Sequence, residues 1–433
     1  MRPTQVVPII VAAGAVLAGC GAAADMQDTA PAPTPGHPVY EAFIRPDPAA
    51  GTLSADWRIR FIADERTAAS VTFLIADGMN IERVAGPAVR AHRTEPFPPV
   101  PVWKQLVVEL DSTVQAGTEV ALEIAYSGAP VFPPSGINSL TTEWIELSVD
   151  SGWLPLFSTF DQQWTGTLRI ALPESWVVVT SGSVEYADGA HVVRNTIPQL
   201  DVAFSAAPSL EQIAASGFTI YHRGADSAVV AAAFDAAQAC AAYLNERYGA
   251  ESPMRDVRLV LVDRATSAYS RKNYITLSHF DPQDRVSTNH LICHELAHTW
   301  SWGADPMGPD HWLTEGFAEY VAARFVRHRF GPETFDSLIA LWDEVSRTAG
   351  PVWTPELTGR GDEVLLYRRA PVALASVERQ IGTEAFDRFL ERYMAGRART
   401  TPDLLRELEA VAGAEAAAAL RAELGRGPVA RGR

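Results

Sequence analysis

Between residues 37 and 209 apolar and polar side chains alternate over short stretches, each closed by proline, glycine or another turn former. Clear cases are Trp57–Ala63 (WRIRFIA), Ser70–Ala76 (SVTFLIA), Lys104–Leu110 (KQLVVEL) and Glu119–Gly128 (EVALEIAYSG), followed by runs that open at Thr165 and Trp176. A period of two sends successive side chains to opposite faces of a strand, so the spacing predicts an antiparallel β-saddle or sandwich. No catalytic constellation stands out in it. Beyond Ala215 the period changes: one strand-like run, Val257–Val262, is followed by helical segments to the end of the chain. Residues 210–433 are therefore expected to form a mainly helical domain that carries the chemistry, giving an α+β protein with no fixed-period repeat.

The N-terminus departs from both patterns. Arg2 precedes an uncharged apolar run, Val6–Leu17, short of the roughly 20 residues that a membrane-spanning helix needs. The run ends in Leu17-Ala18-Gly19-Cys20, which resembles a bacterial lipobox. Residues 1–19 then read as a lipoprotein signal peptide, Cys20 as the acylated residue, and 20–36, rich in Ala, Pro and Thr, as a flexible tether. That predicts a bacterial envelope protein held to a lipid bilayer, in the periplasm or facing the surface. No later stretch reaches 18 apolar residues without a charge; the closest, Ala228–Leu244, is interrupted by Asp235 and reads as an Ala-rich helix.

The 433 residues allow two or three domains, and 47% apolar with 20% charged residues fits a folded globular chain. Acidic residues outnumber basic ones 52 to 36, a formal charge of −16, so no broad basic surface exists for nucleic acid. Three cysteines cannot make a disulfide framework; Cys240 and Cys293 are read either as a bridge or as buried free thiols.

The candidate chemistry lies in residues 287–303, STNHLICHELAHTWSWG. Ser287–Asn289 offer helix caps and Gly303 a stop. Ile292, Leu296 and Trp300 recur every four residues and should face a core. His294 and His298 share the same spacing about 200° further round, so the two imidazoles stack on the cleft side. Glu295 sits at the edge of that face, within reach of a water at the metal, the HExxH arrangement in which Glu is a general base. A second amphipathic helix is predicted over 310–329, ended by Gly331-Pro332; on it Glu315 is the natural third ligand and Glu319, one turn on, a hydrogen-bond acceptor for the free ring N–H of His294. His290 is expected at the surface, and Trp300, Trp302 and Trp312 as packing residues.

HELAHTW followed by WLTEGFAEY resembles the gluzincin zinc metallopeptidases of the aminopeptidase N and leukotriene-hydrolase type. LEIAYSG looks like the end of their N-terminal saddle, and YRRAPVALASVERQIG, from Tyr367, like their Tyr-bearing helix start, with Pro371 suited to a first turn. The resemblance implies a thermolysin-like catalytic domain and one zinc ion held by His294, His298 and Glu315. It also implies Glu295 as general base, Tyr367 as oxyanion donor and a peptide substrate.

The chain departs from that family in two places. The loop from Thr299 to Thr314 is shorter than usual. Where exopeptidase members carry GxMEN, whose Glu binds a free amino terminus, the best match is SRKNYITLS, with Asn273 retained and Lys272 in place of the Glu. Lys272 is read either as a solvated edge-strand lysine or, with Asn273, as a substrate-binding residue that disfavours aminopeptidase activity. The alternative function is a non-catalytic envelope protein that binds or scaffolds peptides and keeps a zinc site.

Overall fold

A computed structural model describes residues 31–132, 136–250, 252–265, 267–396 and 398–428. The expected signal peptide, Cys20 and most of the tether lie outside them.

The first half is the expected β-structure. A seven-stranded sheet runs in the order Ser183–Ala187, Ala190–Gln199, Trp164–Ile170, Val39–Asp47, Thr52–Ile62, Glu119–Gly128, Met79–Ala85. It is antiparallel except between Val39–Asp47 and Trp164–Ile170, which pair in parallel. A four-stranded sheet of Leu156–Phe157, Ser70–Ala76, Trp103–Leu110 and Val89–Pro96 shares its core. Phe61 from one sheet and Phe73 from the other both pack on Phe157, as the alternating pattern requires. A smaller sheet of Val177–Thr180, Phe204–Ala207, Ile145–Leu147 and Ser139–Leu140 faces the second half.

The second half holds more strand than the single run expected. Glu211–Ala215, Phe218–His222, Val257–Leu261, Tyr274–Leu277 and Tyr269–Arg271 form a five-stranded sheet, in that order, with the middle three parallel. Two of these strands have only three and four residues, and Tyr274–Leu277 is buried throughout, so neither shows alternation.

Among the described residues eight α-helices accompany the sheet: α1 (Ser227–Tyr248), α2 (Arg285–Ala297), α3 (Trp312–Phe330), α4 (Pro332–Ser346), α5 (Ala370–Ile381), α6 (Thr383–Met394), α7 (Thr401–Ala412) and α8 (Ala414–Leu424). α2 packs against both α1 and α3. Cys240 of α1 and Cys293 of α2 form a disulfide, which settles the alternatives left open by the sequence.

The two halves meet along a partly charged seam. Arg264 places Nη1 2.7 Å from both oxygens of Glu146, and Arg271 Nε donates to Asp201 Oδ2 at 2.8 Å. Arg258 donates to the carbonyls of Thr180 and Gly182. Val179 and Ala203 pack with Val260 and Tyr274 beside them.

Candidate active site

The metal-site geometry begins with how α2 starts and stops. Asp284, not Ser287–Asn289, caps it: Oδ1 accepts from the Ser287 amide at 3.0 Å and Oδ2 from its hydroxyl at 2.7 Å. The helix ends at Ala297, well before Gly303, with His298 as its C-cap. Ile292 and Leu296 face the core fully buried, as the four-residue stripe predicts, and Trp300 continues the contact from the loop. A short 3-10 turn, Pro309–His311, leads into α3.

His294 Nε2 and His298 Nε2 lie 3.2 Å apart, and Glu315 Oε2 lies 3.5 Å from each. Three ligand atoms at zinc bond lengths of about 2.0–2.1 Å and tetrahedral angles would sit about 3.3–3.4 Å from one another. The observed triangle has that size. These are the atoms that among the described residues could share a metal ion. Each imidazole is held by its other nitrogen: His294 Nδ1 donates to Glu319 Oε2 at 2.8 Å and His298 Nδ1 to the Ser301 carbonyl at 3.1 Å. Both bonds fix the tautomer that leaves Nε2 as an acceptor toward the shared point. Glu295, only 5% exposed, has Oε2 without a hydrogen-bond partner, an open acceptor at the edge of the same site.

The electrostatics favour a cation. Burial opposes the charge of Glu315, but the imidazoles of His298, His294 and His311 gathered around it outweigh that and hold the carboxyl well below its ordinary range. Burial dominates at Glu295 and raises its pKa, with the nearby histidines pulling the other way.

Tyr367 lies across the site, its ring centroid 5.7 Å from that of His294. Burial first, and then the neighbouring Glu315 carboxylate, raise its pKa, so the hydroxyl keeps its proton. Pro371 falls in the first turn of α5, as expected, but the helical backbone already runs ahead of it. That backbone runs through a π-helical turn, Leu365–Arg369, into α5. Pro371 has no N–H for the Tyr367 carbonyl and its ring crowds that oxygen, so the backbone widens. Arg368 Nη1 takes up the freed carbonyl at 2.7 Å.

These groups open into a cavity of about 420 Å³ between the two halves. The first half contributes Trp103, Phe160 and Gln199 to it, and the second Lys272, Trp302, Arg360 and Tyr367. Lys272 is therefore not a solvated edge residue: its Nζ rests 3.9 Å over the Trp302 ring. Trp302 is likewise a cavity wall rather than only packing, whereas Trp300 and Trp312 are buried as expected. Asn273 is absent from the cavity wall, and its side chain donates to the Asp256 carbonyl at 3.1 Å, so the structure does not support it as a substrate contact. Two neighbours in one hairpin turn send their side chains in different directions. His290 is not at the surface either; its ring meets Trp342 edge-on and faces Glu319.

Two residues near the site escaped sequence reasoning. His311 Nε2 lies 3.2 Å from Glu315 Oε1, a contact that its i, i+4 spacing could have signalled. Arg368 binds Glu319 Oε1, the oxygen that His294 does not use; nothing in the sequence around it marks that role.

No known family profile matches the chain. Leucine aminopeptidase 2 of Eremothecium gossypii is 30% identical over 135 residues, which cover 25% of this chain and 20% of that protein. The chain thus matches about a fifth of the length of this curated relative. Among solved structures, the M1 zinc metallopeptidase from Deinococcus radiodurans superposes with a TM-score of 0.68 at 18% identity, over 90% of this chain and 93% of that one. A mutant two-domain M1 zinc metallopeptidase bound to L-arginine gives 0.71 at 19% identity, over 91% and 94%. A mutant of the Deinococcus enzyme bound to a Tyr-Ser-Ala substrate gives 0.67 at 18% identity, over 90% and 93%. The fold is that of the two-domain M1 zinc metallopeptidases.

Proposed function

We propose that this chain is a zinc metallopeptidase that hydrolyses peptide bonds, with His294, His298 and Glu315 as ligands of one zinc ion. The observation that carries the reading is the 3.2, 3.5 and 3.5 Å triangle of ligand atoms beside an unpartnered Glu295 oxygen. Zinc bound there supplies Lewis acidity, polarising a carbonyl and making water acidic enough to react near neutral pH. Glu295 accepts the proton of the attacking water at its open oxygen and returns it to the leaving amine. Its raised pKa suits both transfers. The Tyr367 hydroxyl, kept protonated, donates to the oxygen that becomes negative. Glu319 and the Ser301 carbonyl hold the imidazoles in register throughout.

Two finer features belong to the same proposal. Leu17–Cys20 supports a lipid anchor and an envelope location, and Cys20→Ala should move the protein from membrane to soluble fractions. Lys272 in the cavity argues against binding a substrate through its terminal ammonium. The decisive experiment measures metal content and cleavage of a mixed peptide library by the native protein and Glu295→Gln. One zinc per chain with cleavage abolished in the variant is expected. Zinc without Glu295-dependent cleavage would instead mark a peptide-binding or scaffolding protein. Comparing free and N-acetylated peptides tests the aminopeptidase point; strong preference for free ends would overturn it.

A further inference from the structure

We infer that Lys272 anchors an anionic subsite, so that the cavity selects peptides with a carboxylate side chain close to the bond to be cut; this rests on the peptidase reading above. The first support is what surrounds the ammonium. Nζ sits on the face of Trp302, four residues beyond His298, in the cavity that also holds Glu295. No carboxylate among the described residues pairs with it, whereas its neighbour Arg271 is paired with Asp201 and Asp150. A half-buried cation without a counter-charge has lost water and gained only a π-face in return. A carboxylate entering the cavity restores what was lost.

A second support is the backbone. Lys272 is the first of the two residues that turn Tyr269–Arg271 into Tyr274–Leu277, and it has φ of 60°, a conformation that favours glycine. Lysine holds this position despite its Cβ, and the same turn delivers its side chain to the cavity.

The remaining charges agree. Arg360 lines the cavity and Arg399 stands 5.8 Å over Trp302, and among the described residues neither forms an ion pair. Of the carboxylates in the wall, Glu315 is engaged by three histidines, and Asp201 and Asp150 by Arg271, which leaves Glu295, the proposed general base, as the unpaired one. Burial lowers the Lys272 pKa to about 8, so it remains mostly charged at neutral pH. Apart from Glu295, the unpaired charge in the wall is thus positive, on a chain whose formal charge is −16.

The test uses acetylated alanine hexapeptide amides in pairs that differ only by Glu or Gln, with that residue walked along the peptide. Binding to the zinc-loaded Glu295→Gln protein is measured by calorimetry, and cleavage by the native protein in parallel. Glu is expected to outbind Gln by about tenfold to a hundredfold at one position, the range for a charge-assisted hydrogen bond. The same preference should appear in kcat/KM, survive Lys272→Arg and vanish in Lys272→Met. Thermal melting of each variant confirms that it is folded. Equal binding of Glu and Gln at every position overturns the inference, as does a preference that persists in Lys272→Met. Lys272-dependent binding without cleavage would sink the peptidase reading and leave the subsite standing.

Discussion

His311 faces Glu315 across one helical turn, its Nε2 3.2 Å from Oε1, while the other oxygen of Glu315 lies 3.5 Å from both ligand imidazoles. The carboxylate is thereby divided: one oxygen is occupied by a donor and the other turned to the metal point. His311→Phe should weaken zinc binding about 10- to 100-fold, the usual cost of losing an outer partner of a ligand. His311→Gln, which retains an N–H donor, should lose less. Competition with a chromophoric chelator reads both.

Tyr367→Phe should leave zinc affinity unchanged and lower kcat by about 10²- to 10³-fold, the effect of removing one oxyanion donor. A variant that lost zinc in proportion to activity would mean the phenol supports the site and not the reaction.

The Cys240–Cys293 bridge closes a 53-residue separation and ends on the residue before His294. By the chain-entropy relation such a loop contributes about 4 kcal/mol. The double serine variant should melt at a clearly lower temperature, and its zinc affinity should fall if the bridge also holds α2 in place. Calorimetry with and without metal separates the two effects.

Asp284 caps the metal helix, and the Ser287 amide and hydroxyl lower its pKa. A carboxyl held below its unfolded value contributes stability that is present above the unfolded pKa, about 3.9, and fades as pH falls through the folded one. Asp284→Ala should cost about 1 kcal/mol at pH 7. The gap between variant and native protein should close below pH 4, as followed by denaturant melts.

Glu319→Ala leaves the His294 N–H and Arg368 without their shared acceptor. Zinc affinity should drop about 10- to 100-fold. Arg368→Met should have a smaller effect, because the His294 bond survives it.

Much of the site was legible because it obeys local periodicity. His294, His298 and Glu295 follow from helical spacing alone, and the Glu319 bond to His294 from one further turn on a second helix. What escaped depends on distant contacts or on the absence of a pattern. Met79–Ala85 and Val89–Pro96 are largely exposed strands with no clean alternation, so no apolar rhythm announced them. His290 has the sequence context of a surface residue, yet Trp342 of α4 packs on its ring and Glu319 of α3 faces it. The direction taken by Lys272 and Asn273 was set by a single positive φ, which sequence periodicity does not report.

Arg258 and Arg271 of the five-stranded sheet, and Arg264 in the loop after Val257–Leu261, end on acceptors supplied by the β-rich half. A severed second half would strand those guanidinium groups against emptied sockets and lose part of the wall of the cavity that holds Glu295. The smallest working version of this machine is therefore both halves together, and attempts to miniaturise it should trim elsewhere.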